Sequence, residues 1–334
     1  PMPFKAGNRY LLRVYYFGRR ISLEAHHSLG DGTGGMYVLH TLTATYLRLL
    51  GHPVSNGGFV LDINEKPDPA EWEDAYMKYA NAQVRPPRMG EKAYRVRGTK
   101  EPFYTFNIID GILSVQEVMN VAKNYHCTIT EYLNAVLLYA LLQKQLGEFH
   151  YKLKPVKIAM PVNLRRFFPS KTLRNFITMI YPGVDPRLGV YSFDEIIQHV
   201  HNYMRYSINE KFLKGDITTN AATQRNPFIR IVPLFVKDIV VRTFYTKIQD
   251  KNSSAGLTNM GALKVPEDMQ PYIERFDIYM GQPFSTRTNC AIVSFQDVLT
   301  INFASSIAET DVERLFFQKL VQDGIHVKIE SNRS

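Results

Sequence analysis

The stretch that decides the fold is residues 22–35, which read Ser-Leu-Glu-Ala-His-His-Ser-Leu-Gly-Asp-Gly-Thr-Gly-Gly. Its first part alternates apolar and polar residues, as a strand does, and runs into two adjacent histidines. A glycine-rich turn around Asp31 follows, and a helix is predicted from near Gly35 to Leu50, where a glycine and then a proline end it. This order of elements is suited to holding a base beside exposed backbone N–H groups.

The histidine pair carries the chemistry that this stretch suggests. Successive strand residues face opposite sides, so His26 and His27 are expected to differ, one pointing into a cleft and the other into packing. Imidazole titrates near neutral pH, so it can take a proton from a hydroxyl or an amine and return it to a leaving group. The glycines would let the backbone approach a ligand closely. Asp31 is expected to anchor a cation rather than to act as a second base.

Three other interpretations of this stretch stay open. A metal site needs ligands that converge, whereas adjacent histidines in a strand diverge. A dinucleotide-binding turn would account for Gly30, Gly32 and Gly35, but not for the histidines, and no clear acidic strand end follows about 20 residues on. The third interpretation is a structural turn in which the histidines have no function.

Residues 26–32, His-His-Ser-Leu-Gly-Asp-Gly, resemble the HHxxxDG motif of the chloramphenicol-acetyltransferase-like superfamily. The resemblance is greatest to its alcohol O-acetyltransferase branch, and condensation domains of peptide synthetases belong to the same group. It implies an α/β (α+β sandwich), two-lobed fold with mixed sheets flanked by helices. It also implies that His27 is the general base with His26 in support. Asp31 would pair with an arginine, and backbone groups around Gly32 would meet the oxyanion.

A second segment, Pro-Val-Asn-Leu-Arg at 161–165, is similar to a proline-valine-asparagine-x-arginine segment of that superfamily. Read alone, it would be a solvated basic loop. The resemblance implies an ion pair between Arg165 and Asp31. It also makes Asn163 and, in Leu-Arg-Asn-Phe at 173–176, Asn175 candidates for substrate positioning. Arg174 stands where the family has glycine.

A third segment, Leu-Thr-Asn-Met-Gly at 257–261, resembles the Ser-Asn-x-Gly loop of the superfamily. By itself it is ordinary turn chemistry. The resemblance makes Thr258 and Asn259 candidates for binding the oxyanion or for positioning the substrate.

The length of 334 residues is enough for two lobes. We expect residues 1–100 to be the remainder of an N-terminal lobe, with the motif and a linker that includes 85–88, and residues 101–334 to be the C-terminal lobe. Strand-like runs at 9–17 and 20–27 form a hairpin that ends at the motif. The family has a further segment before this hairpin, so we expect an incomplete N-terminal lobe, and a chain that is a fragment or has been separated from its partner piece.

Composition narrows the class of protein. Hydrophobic residues make up 45% of the chain, which is ordinary for a globular protein. The formal net charge is +9, but no nucleic-acid motif is present, so the charge suits an anionic substrate such as coenzyme A or an acidic carrier protein. Two cysteines, Cys127 and Cys290, fit a reducing cytoplasm. A basic helix predicted at 227–248 would pack through its apolar side, or lie on a membrane surface.

Local patterns predict the remaining elements. Ser/Thr-x-x-Glu sequences at 114–117, 128–131, 192–195 and 310–313 predict four helix starts, and the third helix is expected to reach residue 212. A further helix is expected over 69–82. Strands are expected near 103–109, 157–161, 176–182, 254–259, 274–280, 289–295 and 298–304.

The function that these features predict is transfer of an acyl group, expected to be acetyl, from a coenzyme A thioester to a small alcohol or amine. His27 would act as general base without a covalent acyl-enzyme, and neither a metal nor a tightly bound cofactor is required. Two alternatives remain. One is a condensation-like domain that takes its acyl group from a carrier-protein thioester. The other is a non-catalytic binding fragment, whose partner would be the missing N-terminal segment of the same protein.

Overall fold

The computed structural model describes residues 10–80, 91–102, 105–148, 152–225, 252–281 and 286–333, with the single positions 233 and 236. The helices are α1 (Gly32–Leu49), α2 (Ala75–Tyr79), α3 (Val115–Asn124), α4 (Ile129–Leu146), α5 (Phe193–Ser207), α6 (Glu210–Arg225) and α7 (Asp311–Gln322). The strands are β1 (Leu12–Phe17), β2 (Arg20–Ala25), β3 (Asn107–Ser114), β4 (Val156–Asn163), β5 (Ile177–Ile180), β6 (Gly183–Val184), β7 (Ala255–Ala262), β8 (Thr288–Phe295), β9 (Val298–Ser305) and β10 (Lys328–Ser331).

Eight of these strands form one mixed sheet, in the order β10-β3-β9-β8-β7-β4-β5, with β6 paired to β4. The pairs β4–β7 and β7–β8 are parallel, and the other pairs are antiparallel. Helix α4 packs against β4, α5 and α7. Because α4 is buried on several sides, its apolar residues are nearly continuous, as the sequence predicts. The predicted α/β class with a mixed sheet flanked by helices is confirmed.

The predicted hairpin is present as a separate two-stranded sheet, β1 and β2, paired from Leu12–Ala25 to Phe17–Arg20. Gly18 has a φ of +54° in the connecting turn, which glycine adopts without strain. Two ion pairs link the hairpin to the segment before β8, Arg19–Glu274 at 3.2 Å and Arg20–Asp277 at 3.6 Å. The hairpin, and the histidine motif that follows it, are thereby attached to the segment before β8. The lobe boundary near residue 100 stays a prediction.

Three of the four predicted helix starts have the expected cap. Thr128 and Ser192 form reciprocal capping boxes with Glu131 and Glu195. The Ser114 hydroxyl accepts from the first turn of α3, while Glu117 binds the backbone and ring of His326 instead of completing the box.

The fourth cap prediction was wrong. The Thr310 side chain makes no capping bond, and the buried Glu313 carboxylate turns inward, where it accepts a 2.6 Å hydrogen bond from the Thr288 hydroxyl on β8. Glu313 therefore forms a hydrogen bond to another element in place of the local capping box.

Three element predictions need correction. The helix expected to reach residue 212 ends at Ser207, and Asn209 caps α6 by accepting from the Phe212 N–H at 3.0 Å. The strand expected at 274–280 pairs with no described strand, because side chains of β9 bind its backbone, as in Ile278 N–H to Asn302 Oδ1 at 3.1 Å. The helix expected over 69–82 is a 3₁₀ turn, Pro69–Trp72, followed by the short α2. The edge strand β10 was not predicted.

Two predictions lie outside the described residues: the linker at 85–88 and nearly all of the basic helix at 227–248. Among the helices that the structure does describe, none is both long and apolar enough to cross a bilayer.

One buried side chain on α1 is unusual. His40 is 0% exposed, with its ring 5.5 Å from that of Phe59 and 5.0 Å from that of Phe276. Neither ring nitrogen has a hydrogen-bond partner among the described residues. Burial lowers the pKa of His40 from 6.5 to about 4, since an imidazolium would lose its hydration there.

This burial predicts acid sensitivity. Between pH 6.5 and about 4 the unfolded chain binds a proton at His40 that the folded chain does not, so stability falls as pH falls, by about 3 kcal/mol in total. His40→Leu should flatten this slope in urea unfolding measured across that range, whereas the exposed His199→Gln should leave it unchanged. Equal slopes for the wild type and His40→Leu would contradict the assignment.

Candidate active site

The histidine pair lies in a turn rather than in the strand. Strand β2 ends at Ala25, so the expected alternation of the two side chains does not apply. Both histidines are exposed, and the expectation that one packs into the core was therefore wrong. His26 Nδ1 lies 2.8 Å from Ser28 Oγ and also accepts from the Ser28 N–H at 3.3 Å. The His27 imidazole binds no other described side chain, so it is the ring that is free to meet a substrate.

The turn is set by Asp31, which caps α1. The helix begins at Gly32, three residues before the predicted start, because Asp31 Oδ1 accepts from the Gly34 N–H at 3.2 Å. The Asp31 carbonyl accepts from the Gly35 N–H at 3.0 Å. In the described part of the chain, the N–H groups of Gly32 and Thr33 have no hydrogen-bond acceptor. Two unpaired donors therefore lie at the positive end of the helix dipole, beside the histidine turn.

The ion pair implied for Asp31 is present. The other carboxylate oxygen of Asp31, Oδ2, accepts from Arg165 Nη1 at 2.7 Å and from the Phe176 N–H at 2.9 Å. The Asp31 side chain is 2% exposed and the Arg165 side chain is 12% exposed. A buried, hydrogen-bonded charge pair of this kind fixes the turn against the second segment found in the sequence.

The remaining guanidinium hydrogens of Arg165 shape the segment 172–176. Its Nε and Nη2 donate to the Thr172 carbonyl at 3.0 and 2.8 Å, and Nη2 donates to the Arg174 carbonyl at 2.7 Å. The planar fork of arginine satisfies all of these acceptors together with a carboxylate, which a lysine cannot do.

The segment 172–176 in turn holds the histidine turn. The Leu173 carbonyl lies where side chains at Gly30 and Gly34 would be, so these two glycines serve a close approach of protein backbone. The expectation that they admit a ligand is replaced by this packing role. Asn175 Nδ2 donates to the His27 carbonyl at 2.7 Å and so fixes the backbone of the candidate base, while its buried Oδ1 has no hydrogen-bond partner among the described residues. The expected role of Asn175 in positioning a substrate stays a prediction.

Asn163 also binds protein groups. Its Oδ1 accepts from the Arg165 N–H at 3.0 Å and from Nη1 at 3.3 Å, and its Nδ2 donates to Thr33 Oγ1 at 3.3 Å. Asn163 therefore braces the arginine and the start of α1.

The third segment of the sequence lies in strand β7, with an irregular register between Asn259 and Ala262. Asn259 Nδ2 donates to Thr130 Oγ1 on α4 at 2.9 Å, and its Oδ1 accepts from the Gly261 N–H at 2.8 Å. Thr258 faces the opposite side of the strand, and its hydroxyl binds none of the described residues. Thr258 is thus the freer of the two candidates.

Contact between β7 and the motif runs through Met260. A Cβ added to Gly32 would lie 2.8 Å from Met260 Sδ, so the thioether rests against the motif glycine. The structure therefore brings together all three segments singled out in the sequence. Sequence reasoning missed Met260, Leu173 and the Phe176 N–H, since backbone groups and an unremarkable methionine leave no signal in a motif.

Two other kinds of site concern the described ranges, a metal centre and a ligand cavity. These ranges contain no group of three histidine, cysteine, aspartate or glutamate side chains that could hold a metal ion. A cavity of about 580 Å³ lies elsewhere, between α7 and the β3–β10 edge, where Phe317, Val321 and Ile329 line it.

Comparison with known proteins gives a sequence family for part of the chain. Residues 104–178 match the family described as alcohol acetyltransferase; the matched segment includes Asn163, Arg165 and Asn175, but not the histidine motif. A comparison with curated protein sequences found no match.

Solved structures share the fold. The epimerization domain of the third module of tyrocidine synthetase B has a TM-score of 0.52 at 14% identity, covering 91% of this chain and 68% of that domain. The trichothecene 15-O-acetyltransferase of Fusarium sporotrichioides gives 0.52 and 14%, with 91% and 65% covered. F. sporotrichioides TRI101, solved with coenzyme A and T-2, gives 0.51 and 12%, with 92% and 67% covered.

At 12–14% identity, these structures show the fold of this chain. The family to which residues 104–178 are matched in sequence is that of the alcohol acetyltransferases.

Proposed function

We propose that this protein transfers an acyl group from a coenzyme A thioester to a small alcohol or amine, with His27 as general base. The proposed acyl group is acetyl. The observation that carries the proposal is the bracing of the His27 turn by Asp31, Arg165 and Asn175, which leaves the His27 ring itself unbound and exposed. A coenzyme A complex of a structural neighbour and the net charge of +9 support an anionic thioester as donor. The two unpaired cysteines fit the cytoplasm as its location.

The reaction needs one proton to move twice. His27 takes the proton of the acceptor hydroxyl as its oxygen attacks the thioester carbonyl carbon. The carbonyl oxygen becomes an oxyanion, which the unpaired N–H groups of Gly32 and Thr33 and the Thr258 hydroxyl are suited to stabilise. The C–S bond then breaks, the ester forms, and the thiolate leaves with the proton from His27. No covalent acyl-enzyme is required.

The test is release of free thiol that depends on both substrates. Purified protein is incubated with acetyl-CoA and a panel of short alcohols and amines, and thiol and product are both measured. Thiol release that requires the acceptor and matches product formation supports the proposal. Transfer only from an acyl-phosphopantetheinyl carrier protein would indicate the condensation-like alternative, and binding without transfer from either donor would indicate a non-catalytic fragment.

A prediction for Asn175 follows from its bond to the His27 carbonyl. Asn175→Ala removes the amide that fixes the backbone of the base, and misplacement of a catalytic group by about 1 Å costs on the order of 100-fold in rate. We expect kcat to fall by about that factor with little change in KM, since the Nδ2 bond of Asn175 acts on the backbone of His27. Asn120→Ala, an exposed asparagine on α3, is the control and should leave kcat unchanged. A rise in KM alone would return Asn175 to a substrate-binding role.

A further inference from the structure

Strand β7 presents two different faces near the site. Leu257 is fully buried, and Asn259, on the same side, binds Thr130 of α4. The opposite side carries Gly256, against which Asn289 and Met280 pack, and the half-buried Thr258. Met260, which follows in the irregular part of the strand, touches Gly32 of the histidine motif.

The contact between Met260 and Gly32 is close. A Cβ on Gly32 would lie 2.8 Å from Sδ and 3.1 Å from Cε of Met260, and real Cβ atoms are essentially never nearer than about 3.0 Å to a neighbour. Met260 therefore fills the volume that any side chain at this motif position would need. Gly32 is exposed and Met260 is half-buried, so the contact lies at the accessible side of the turn.

Met260 also leans on a small apolar cluster. Met36, Leu263 and Val293 form this cluster, and Met260 packs against it. Further along the same face, the methyl group of Met280 would lie 3.5 Å from a Cβ on Gly256. Two thioethers thus lie against glycines near Thr258, that of Met260 against Gly32 and that of Met280 against Gly256. Methionine is unbranched and polarizable, so such a wall deforms around hydrocarbon chains of different shape.

We infer that Met260 limits the length of the aliphatic chain that the site accepts next to Gly32. This inference rests on the proposed acyl transfer. This aliphatic chain belongs either to the acyl group of the thioester or to the alkyl group of the alcohol, and both are hydrocarbon. The unpaired N–H groups of Gly32 and Thr33 lie beside this wall, so either chain would run along Met260 when its reacting atom meets them.

The experiment compares wild type, Met260→Ala and Met260→Leu in two substrate series. One series pairs acetyl-, butanoyl-, hexanoyl- and octanoyl-CoA with a fixed short alcohol. The other pairs acetyl-CoA with ethanol, butanol, hexanol and octanol. A methylene in an apolar pocket changes kcat/KM about 10-fold or more, so Met260→Ala should raise the ratio of long to short substrate at least about 10-fold in one series. The series that responds identifies the source of the chain.

Met260→Leu keeps the volume and should retain the wild-type ratio. If Met260→Ala does not fold, as judged by circular dichroism, Met260→Val is used, which is smaller than methionine and suited to a strand. If a folded and active variant keeps the wild-type ratio of long to short substrate in both series, the role of Met260 is overturned but the proposed acyl transfer is not. A wild type that transfers no acyl group from any donor would instead overturn the proposed function, and this inference with it.

Discussion

Replacement of His27 by alanine should lower kcat for acyl transfer by a factor of about 10²–10⁴, the usual worth of a positioned general base. His27 is the ring of the pair that no described side chain binds, whereas His26 is tied to Ser28 at 2.8 Å. The His27 side chain is exposed, so its loss should leave the fold intact. The measurement is thiol release from acetyl-CoA with the best acceptor, under saturating conditions.

The matched control is His26→Ala. Its ring and that of His27 are both exposed and share one turn, so a nonspecific effect on the turn would lower both variants equally. We expect His26→Ala to lose less than about 10-fold, through loosening of the Ser28 contact, which is an exposed hydrogen bond worth about 1 kcal/mol. A His27→Ala variant that keeps wild-type kcat, or a larger loss at His26, would refute the assignment of the base.

Local sequence was sufficient to predict helix starts whose capping hydrogen bonds form between neighbouring residues. The reciprocal boxes at Thr128–Glu131 and Ser192–Glu195 need only residues three apart, and both form as predicted. Glu313 shows the limit of that reasoning. The same pattern stands at its helix start, yet the carboxylate binds Thr288, which is 25 residues away in sequence. A competing partner on another element cannot be seen in a window of four residues.

The site shows the same division. The pairing of Asp31 with Arg165 was implied by resemblance, across 134 residues, because both belong to recognisable segments. The packing of Gly30 and Gly34 on the Leu173 carbonyl and the bond from Asn175 to the His27 carbonyl were not predicted, since carbonyls have no signature in sequence. The residue types in the sequence therefore indicated where the site lies, but the structure was needed to show which group each polar side chain binds.

Arg165→Ala should lower the free energy of unfolding by about 3–5 kcal/mol, which is the cost of leaving one member of a buried ion pair without its partner. The Asp31 carboxylate would keep the Phe176 and Gly34 N–H bonds but lose its cation, and the Thr172 and Arg174 carbonyls would lose their donors. Arg165→Lys should fall between, because an ammonium cannot span a carboxylate and two carbonyls. Urea unfolding followed by circular dichroism measures the change.

Arg166→Ala is the neighbouring control, since Arg166 is exposed and its removal should change stability by less than about 0.5 kcal/mol. Should Arg165→Ala fail to fold, Asp31→Asn provides the second measurement, because it removes the charge and retains the shape. In a double-mutant cycle, Asp31→Asn with Arg165→Met should cost less than the sum of the two single changes, since neither charge is then left alone in the interior. Strict additivity would mean that the pair does not act as a unit, and that the turn carrying His27 is held by its backbone contacts to 172–176 instead.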